Sequence, residues 1–323
     1  MSIQTFGVGV SARWFDVAQG EQVRRFANTS AGISACLARL ATVGTPVRVG
    51  MEATGSYHLP LATALHAAGH IVLVCSPLSI ARYSQAVLAR TKTDATDARR
   101  IARFCEAHEV APWAPAPAVY QRLRALITAP ETLVQERLRL RNRQHAAGYT
   151  AQEALVSELQ APVLAAIEAQ IAHIDRELAR LAEAETPLGA RLRGLVTIPG
   201  LGLTTAGVLL ASLPLDRLGT ARQVVAYVDL CPQEHTSGSS IRGRSHIGPL
   251  GPASVRKSLY LPAIVAMRCN SALRVFAERL RAKGKRPKVV ITAVMRKLLV
   301  LAWALLRSGQ SFSPTHPVGL TGA

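Results

Sequence analysis

The five-residue run Ile71-Val72-Leu73-Val74-Cys75 limits the fold more than any other stretch. It shows no alternation of apolar and polar residues, so as a strand it is covered on both faces, the habit of parallel strands flanked by helices. Parallel strands need helical crossovers, and the neighbours supply them. Residues 58–68 have helical spacing, and Pro77 suits the first turn of another helix, where a missing N–H costs no bond. Upstream, residues 47–52 read as a strand. Residues 31–41 read as a helix with Ile33, Cys36, Leu37 and Leu40 on one face. Residues 6–10, 14–18 and 22–28 read as three short strands, the first two joined by the turn Ser11-Ala12-Arg13. Three strands followed by alternating helices and strands predict a mixed α/β sheet with helices on both faces.

The acids fall at telling places on that frame. Glu52 closes a strand, where open α/β sheets have their ligand crevice. Asp94 and Asp97 follow the last strand, in Lys92-Thr93-Asp94-Ala95-Thr96-Asp97-Ala98-Arg99-Arg100, at the start of a predicted helix. Three apart, they share one helix face. Two readings are open: first-turn acids that satisfy the helix dipole, or oxygen ligands for hard cations such as Mg²⁺. Acids brought from separate elements suit two-metal phosphoryl transfer.

Charge decides the class of partner. Lys plus Arg number 38 against 20 acids, a formal net charge of +18. Such an excess points to nucleic acid before an anionic membrane surface. Cys36, Cys75, Cys105, Cys231 and Cys269 are odd in number, scattered and without a CxxC pair, so they read as reduced core residues of a cytosolic protein. No signal peptide is expected. Residues 289–306 are the most apolar late stretch, but Arg296 and Lys297 interrupt them, so a buried helix is expected and no membrane partner.

The proline-rich segment Ala111-Pro112-Trp113-Ala114-Pro115-Ala116-Pro117 reads as a linker. The predicted domains are residues 1–115, a helical coiled-coil segment 118–185, and a mainly helical domain 190–312. In the middle segment Leu164, Ile167, Ile171, Ile174, Leu178 and Leu181 step by threes and fours, a heptad seam. Arg137, Arg139, Arg141 and Arg143 crowd the preceding stretch, and Pro130 should kink or break the first helix. The seam suits either a helix pair packed on itself or a dimer-forming coil with a basic face. Gly200-Leu201-Gly202 enters a helix, and such turns offer backbone N–H groups to phosphate, as helix-hairpin-helix modules do, although a plain tight turn looks the same. A polar island, residues 233–246, holds hydroxyls beside Arg242 and Arg244, either as a solvated loop or as a nucleophile's setting. Lys283-Gly284-Lys285-Arg286-Pro287-Lys288 is a basic turn suited to a phosphate backbone, and the tail after Ser311 is expected to fray.

Taken together, these segments resemble the DEDD-type insertion-sequence transposases, a family that includes the pilin-gene-inverting recombinases. The resemblance rests on residues 6–17, Gly50-Met51-Glu52-Ala53-Thr54-Gly55, residues 92–98, Ile198-Pro199-Gly200, residues 221–232, residues 236–243 and residues 287–297. It implies an RNase H-like (RuvC-like) nuclease domain, a coiled-coil middle and a C-terminal transposase domain. It implies cutting and rejoining of double-stranded DNA through a serine, guidance by a structured bridge RNA, and assembly as a dimer or tetramer in the bacterial cytoplasm, at the nucleoid. In that assembly the acidic site of one subunit is completed by another's serine. By position Glu52, Asp94 and Asp97 would be the Mg²⁺ ligands and Ser237 the nucleophile, with Ser239 and Ser240 as fallbacks. Arg137, Arg141, Gly200, Gly202, Arg242, Arg244, Lys285 and Arg286 would bind nucleic acid.

One departure stands out. The family's first acid lies on the first strand, in a segment of the form Gly-Ile-Asp-Val-Ser-Lys. Here that segment is Gly7-Val8-Gly9-Val10-Ser11-Ala12, with Gly9 at the acid's place and Ala12 at the lysine's. Asp16 on the next strand would face position 9's side only in one of two hairpin registers, and it reads as structural. The vacancy motivates one alternative, a relative that binds DNA or RNA without cleaving, whose activity Gly9→Asp would restore; a second alternative is a junction-type nuclease that uses the acids and water.

Overall fold

A computed structural model describes residues 3–53, 55–88, 93–150, 152–233, 236–237, 241–242, 246–248 and 250–313. The chain divides into two compact units, Met1–Ala116 and Pro117–Ala323.

In the first unit the strands are β1 (Thr5–Val10), β2 (Trp14–Gln19), β3 (Gln22–Ala27), β4 (Arg48–Glu52) and β5 (Ile71–Cys75). Helix α1 (Ser30–Ala41) precedes β4, α2 (Leu59–Ala67) joins β4 to β5, and α3 (Pro77–Ala86) and α4 (Asp94–Ala107) follow. The sheet order is β3-β2-β1-β4-β5. The first three strands are antiparallel to one another, while β4 runs parallel to both β1 and β5. The expected mixed sheet is therefore present, and its parallel half is the half with apolar strands. One face packs Phe6, Val8, Phe15, Val17, Val49, Met51 and Val72 against α1 and α2.

The other face receives α4, and glycines decide how closely. A β-carbon on Gly7 would fall 2.0 Å from the Ala98 oxygen, and one on Gly50 would fall 2.4 Å from Cys105 Sγ. Glycine in a strand is otherwise a weakness, and here it admits a neighbouring helix to backbone contact. Thr93 starts that helix with a capping box: its hydroxyl accepts from Thr96 N, and Thr96 Oγ1 accepts from Thr93 N. The proline-rich linker is tied down as well. Trp113 N donates to Val72 O at 2.7 Å, which covers the open edge of β5, and the Trp113 ring joins the core.

The second unit opens with a long helical hairpin, α5 (Ala118–Ala147) and α6 (Glu153–Glu183), then α7 (Pro187–Val196), α8 (Leu203–Ser212) and α9 (Ala221–Val228). Four two-residue strands follow: β6 (Pro232–Gln233), β7 (Thr236–Ser237), β8 (Ile241–Arg242) and β9 (His246–Ile247). Helices α10 (Ala253–Cys269), α11 (Ser271–Ala282) and α12 (Pro287–Ser308) complete it. Residues 298–302 of α12 are all buried, so this helix is the unit's central rod. By length and hydropathy α12 could also cross a membrane, and half of its apolar window is buried inside the protein.

Some of these expectations are corrected and others only narrowed. Of the kink or break expected at Pro130, the break does not occur: α5 continues through it, supported by packing along α6 and by the Arg122–Glu177 and Arg141–Glu168 ion pairs. Of the heptad seam, Ile174 and Leu178 are buried, Leu178 in a core shared with α7, α8 and α12, while Leu164, Ile167, Ile171 and Leu181 are half-buried. Phe312 N–H donates to Thr197 Oγ1 at 2.8 Å, and the rest of the tail expected to fray, residues 314–323, lies outside the described residues. Cys269 is exposed and Cys231 half-buried, so only Cys36, Cys75 and Cys105 are core thiols.

Candidate active site

Strand alternation sorts the first unit's polar residues onto one face. Phe6 and Val8 enter the α1/α2 core, so Gly7 and Gly9 turn toward α4. In β4 the same rule turns Arg48, Gly50 and Glu52 toward α4, and Arg48 Nη2 donates to Cys105 O at 3.0 Å. Val8 pairs with Met51, so the next step of the ladder sets Glu52 beside Gly9, one strand spacing of ~4.8 Å away. Asp94 lies over the same point: a β-carbon on Gly9 would be 3.5 Å from Asp94 Cα. Glu52 and Asp94 thus converge on position 9 from different elements. Asp97 is one turn further along α4.

The β1–β2 register resolves Asp16. It pairs directly with Gly9, so its side chain projects to the α4 face. Asp16 pairs in turn with Arg25 of β3. Its carboxylate is 3% exposed and accepts from Arg25 Nε at 2.8 Å and Nη2 at 2.9 Å. This bidentate bond and the charge of Asp16 raise the Arg25 pKa, and Asp94 adds to the rise. Asp97 is occupied too, in an ion pair with Arg100 Nη2 at 2.8 Å.

These facts test the donor set for a divalent ion. Two ions need a carboxylate that bridges them, and Gly9 offers none. Asp16 and Asp97 each hold a guanidinium. Among the described residues no three His, Cys, Asp or Glu side chains stand together closely enough to hold an ion. Glu52 and Asp94, brought to position 9 from a strand end and a helix start, are oxygen donors of the kind one hard cation takes together with phosphate and water. The donors fit one ion and not two.

Beside Glu52, Cys75 of β5 meets Cys105 of α4 with 3.5 Å between the sulfurs. The hydrogen bond between them draws the Cys75 thiol down and pushes Cys105 up, while burial and the charge of Glu52 oppose the first shift.

In the second unit the polar island is two nested ladders. Pro232 pairs with Ile247 and Gln233 with His246, and inside them Thr236 pairs with Arg242 and Ser237 with Ile241. Ser237 and Arg242 therefore stand on the two strands of one short ladder, in neighbouring pairs. Ser239, Ser240 and Arg244 lie outside the described residues, as do Lys92 and Thr54. The sequence reading missed Asp229. Buried, and at φ 59° on the C-terminus of α9, it accepts from Leu250 N at 2.8 Å and from Gln233 Nε2 at 3.2 Å. It fastens both ends of the island to α9. An aspartate tolerates left-handed backbone better than most residues, and that is its only signal in the sequence.

The predicted nucleic-acid residues divide. Gly200, at φ 96°, lets the turn approach α10, where a β-carbon would fall 2.8 Å from Ala266 Cα. Gly202 caps α8 in open space. Arg141 is paired with Glu168, whereas Arg137 makes no ion pair among the described residues. Lys285 and Arg286 are exposed, within a wholly exposed stretch from Arg281 to Val289. From residue 235 to the end the chain has 15 Lys and Arg against one acid, Glu278, which gives this part an unrelieved positive field.

Residues 18–147 match a transposase family of the DEDD, IS110 type, and residues 192–278 match the IS116/IS110/IS902 transposase family. The first match includes Arg25, Glu52, Asp94 and Asp97. The pilin gene-inverting protein of Moraxella bovis is 31% identical over 264 residues, 81% of this chain and 80% of the relative. A probable family 20 transposase of Pseudomonas aeruginosa is 28% identical over 307 residues, 83% and 86% of the two chains.

Proposed function

The chain belongs to the IS110-type transposase family, with the pilin gene-inverting proteins among its relatives, and we propose that it recombines duplex DNA through an acidic centre in the first unit and Ser237 in the second. It is a DNA transposase or recombinase, and its family implies a divalent metal. The observation that supports the acidic centre is the convergence of Glu52 and Asp94 on position 9 from a strand end and a helix start. The sheet order, with three antiparallel strands and two parallel ones, supports an RNase H-like (RuvC-like) assignment.

Glu52 and Asp94 would hold one Mg²⁺, which supplies Lewis-acid polarisation of a phosphodiester oxygen. Asp97 would add a third oxygen donor only where Arg100, its ion-pair partner at 2.8 Å, turned to DNA phosphate. Ser237 Oγ forms a bond to phosphorus and gives up its proton. The deoxyribose oxygen leaves and gains one, and attack by the exchanged strand's oxygen later restores the serine. Arg242 steadies the developing charge. The exposed stretch around Lys285 and Arg286 holds the phosphate backbone. The α5–α6 hairpin, with Leu138, Leu155, Leu159 and Val163 exposed near its tip, supports assembly as a coiled-coil dimer or tetramer. A bridge RNA guide and a cytoplasmic, nucleoid setting complete the proposal.

The second reading is a relative that binds DNA without cutting it, favoured by Gly9 and by the arginines on Asp16 and Asp97. A recombination assay with the element's ends and flanking RNA decides. Recombinase action gives product and a protein–DNA adduct that Ser237→Ala abolishes. Cutting that survives Ser237→Ala marks a hydrolytic nuclease, and retarded DNA without cleavage marks the binding relative.

A further inference from the structure

The row Gly9–Asp16–Arg25 crosses three strands and ends in a cation. Each member opposes the next in the ladder, so all three face α4. The usual position for an acid is bare backbone. The acid one strand over is buried and committed to a guanidinium through two hydrogen bonds. The guanidinium is itself 56% exposed and within electrostatic reach of Asp94. Nε and Nη2 face Asp16, and among the described residues Nη1 has no hydrogen-bond partner, so part of the five-donor fork remains available.

We propose that Arg25 is a positioning residue: it puts a permanent positive charge at the first-strand corner of the acidic site, Asp16 holds it there, and it faces a phosphate of the DNA backbone. The charge that a second metal ion would bring is built into the chain. The proposal rests on this face being the DNA-cleaving site. It accounts for the absent first acid and for the burial of Asp16 together, since a carboxylate at position 9 would compete with phosphate for the same guanidinium.

The test uses the full chain, Mn²⁺ as the probe ion and a duplex oligonucleotide. Arg25→Gln is expected to reduce the slope of log affinity against log salt by about one, the loss of one phosphate contact, and Arg25→Lys to keep it. Arg25→Gln is also expected to tighten Mn²⁺ binding by about tenfold, because a like charge leaves the neighbourhood of Asp94. Damage to the fold would weaken the ion instead. Asp16→Asn is expected to leave the number of bound Mn²⁺ ions unchanged. An unchanged salt slope in Arg25→Gln, or an ion lost in Asp16→Asn, overturns the proposal. Glu52→Gln separates this from the metal assignment: Mn²⁺ binding indifferent to it defeats Glu52 as a ligand, while the salt slope still decides Arg25.

Discussion

A β-carbon on Gly9 would lie 2.6 Å from the carbonyl oxygen of Asp94. The missing side chain is therefore occupied space, filled by the backbone of the helix that carries the other acids. Restoring an aspartate at position 9 does not simply refill a vacancy, as the sequence suggested, because α4 has to move first. Gly9→Ala is expected to destabilise the protein by about 1–3 kcal/mol through overpacking. Gly9→Asp is expected to do the same and to fail to raise recombination. Thermal unfolding and the recombination assay check both, and a Gly9→Asp variant that gains activity would refute the close approach.

Asp229 is expected to matter at a distance. Asp229→Ala leaves Leu250 N and the Gln233 amide without their acceptor, at a cost of about 1–3 kcal/mol. The hairpin that bears Ser237 should then open to protease within residues 232–250, and adduct formation should fall. Asp229→Asn keeps an acceptor and should lose less. Limited proteolysis with mass mapping distinguishes them, and equal cleavage in wild type and Asp229→Ala would remove this role.

Stability should weaken in mild acid. Burial holds the His70 pKa below its ordinary 6.5, and its Nδ1 accepts from Val47 N at 3.4 Å. The unfolded chain then takes up the proton at higher pH than the folded one, so stability is full above pH 6.5 and declines as pH falls through the folded value. His70 is only half-buried, so the effect is modest, no more than about 2 °C in Tm. Scans from pH 7.5 to 5.5 should show the drop, and His70→Gln should flatten it.

The thiols should react in a fixed order. Burial pushes Cys36 up to about 12, which leaves almost no thiolate near neutrality, whereas Cys269 is exposed. Brief alkylation at pH 8 should label Cys269 and spare Cys36. Peptide mass analysis reads the order, and early labelling of Cys36 would show that its pocket opens.

Much of the frame was legible because local chemistry marks it. Pro77 and Thr93 start helices, and apolar runs mark β4 and β5. The site was legible less evenly. Whether Asp16 faces position 9 depends on a one-residue choice of register, which the turn at Ser11 settles through its bond from Ser11 N to Trp14 O and which composition leaves open. Arg25 gave no signal because Arg24 beside it is chemically equal, and only alternation separates them. Strands of two residues, as around Ser237, are too short to show a period.

The glycines of β1 and β4 make the sheet a slot in which α4 lies like a keel. The height of Asp94 above the strands is then fixed by the absence of three side chains. Any added atom at Gly7 or Gly9 meets the keel's backbone and lifts it, and one at Gly50 displaces the Cys105 side chain, so these silent positions act on the chemistry while touching no reactant.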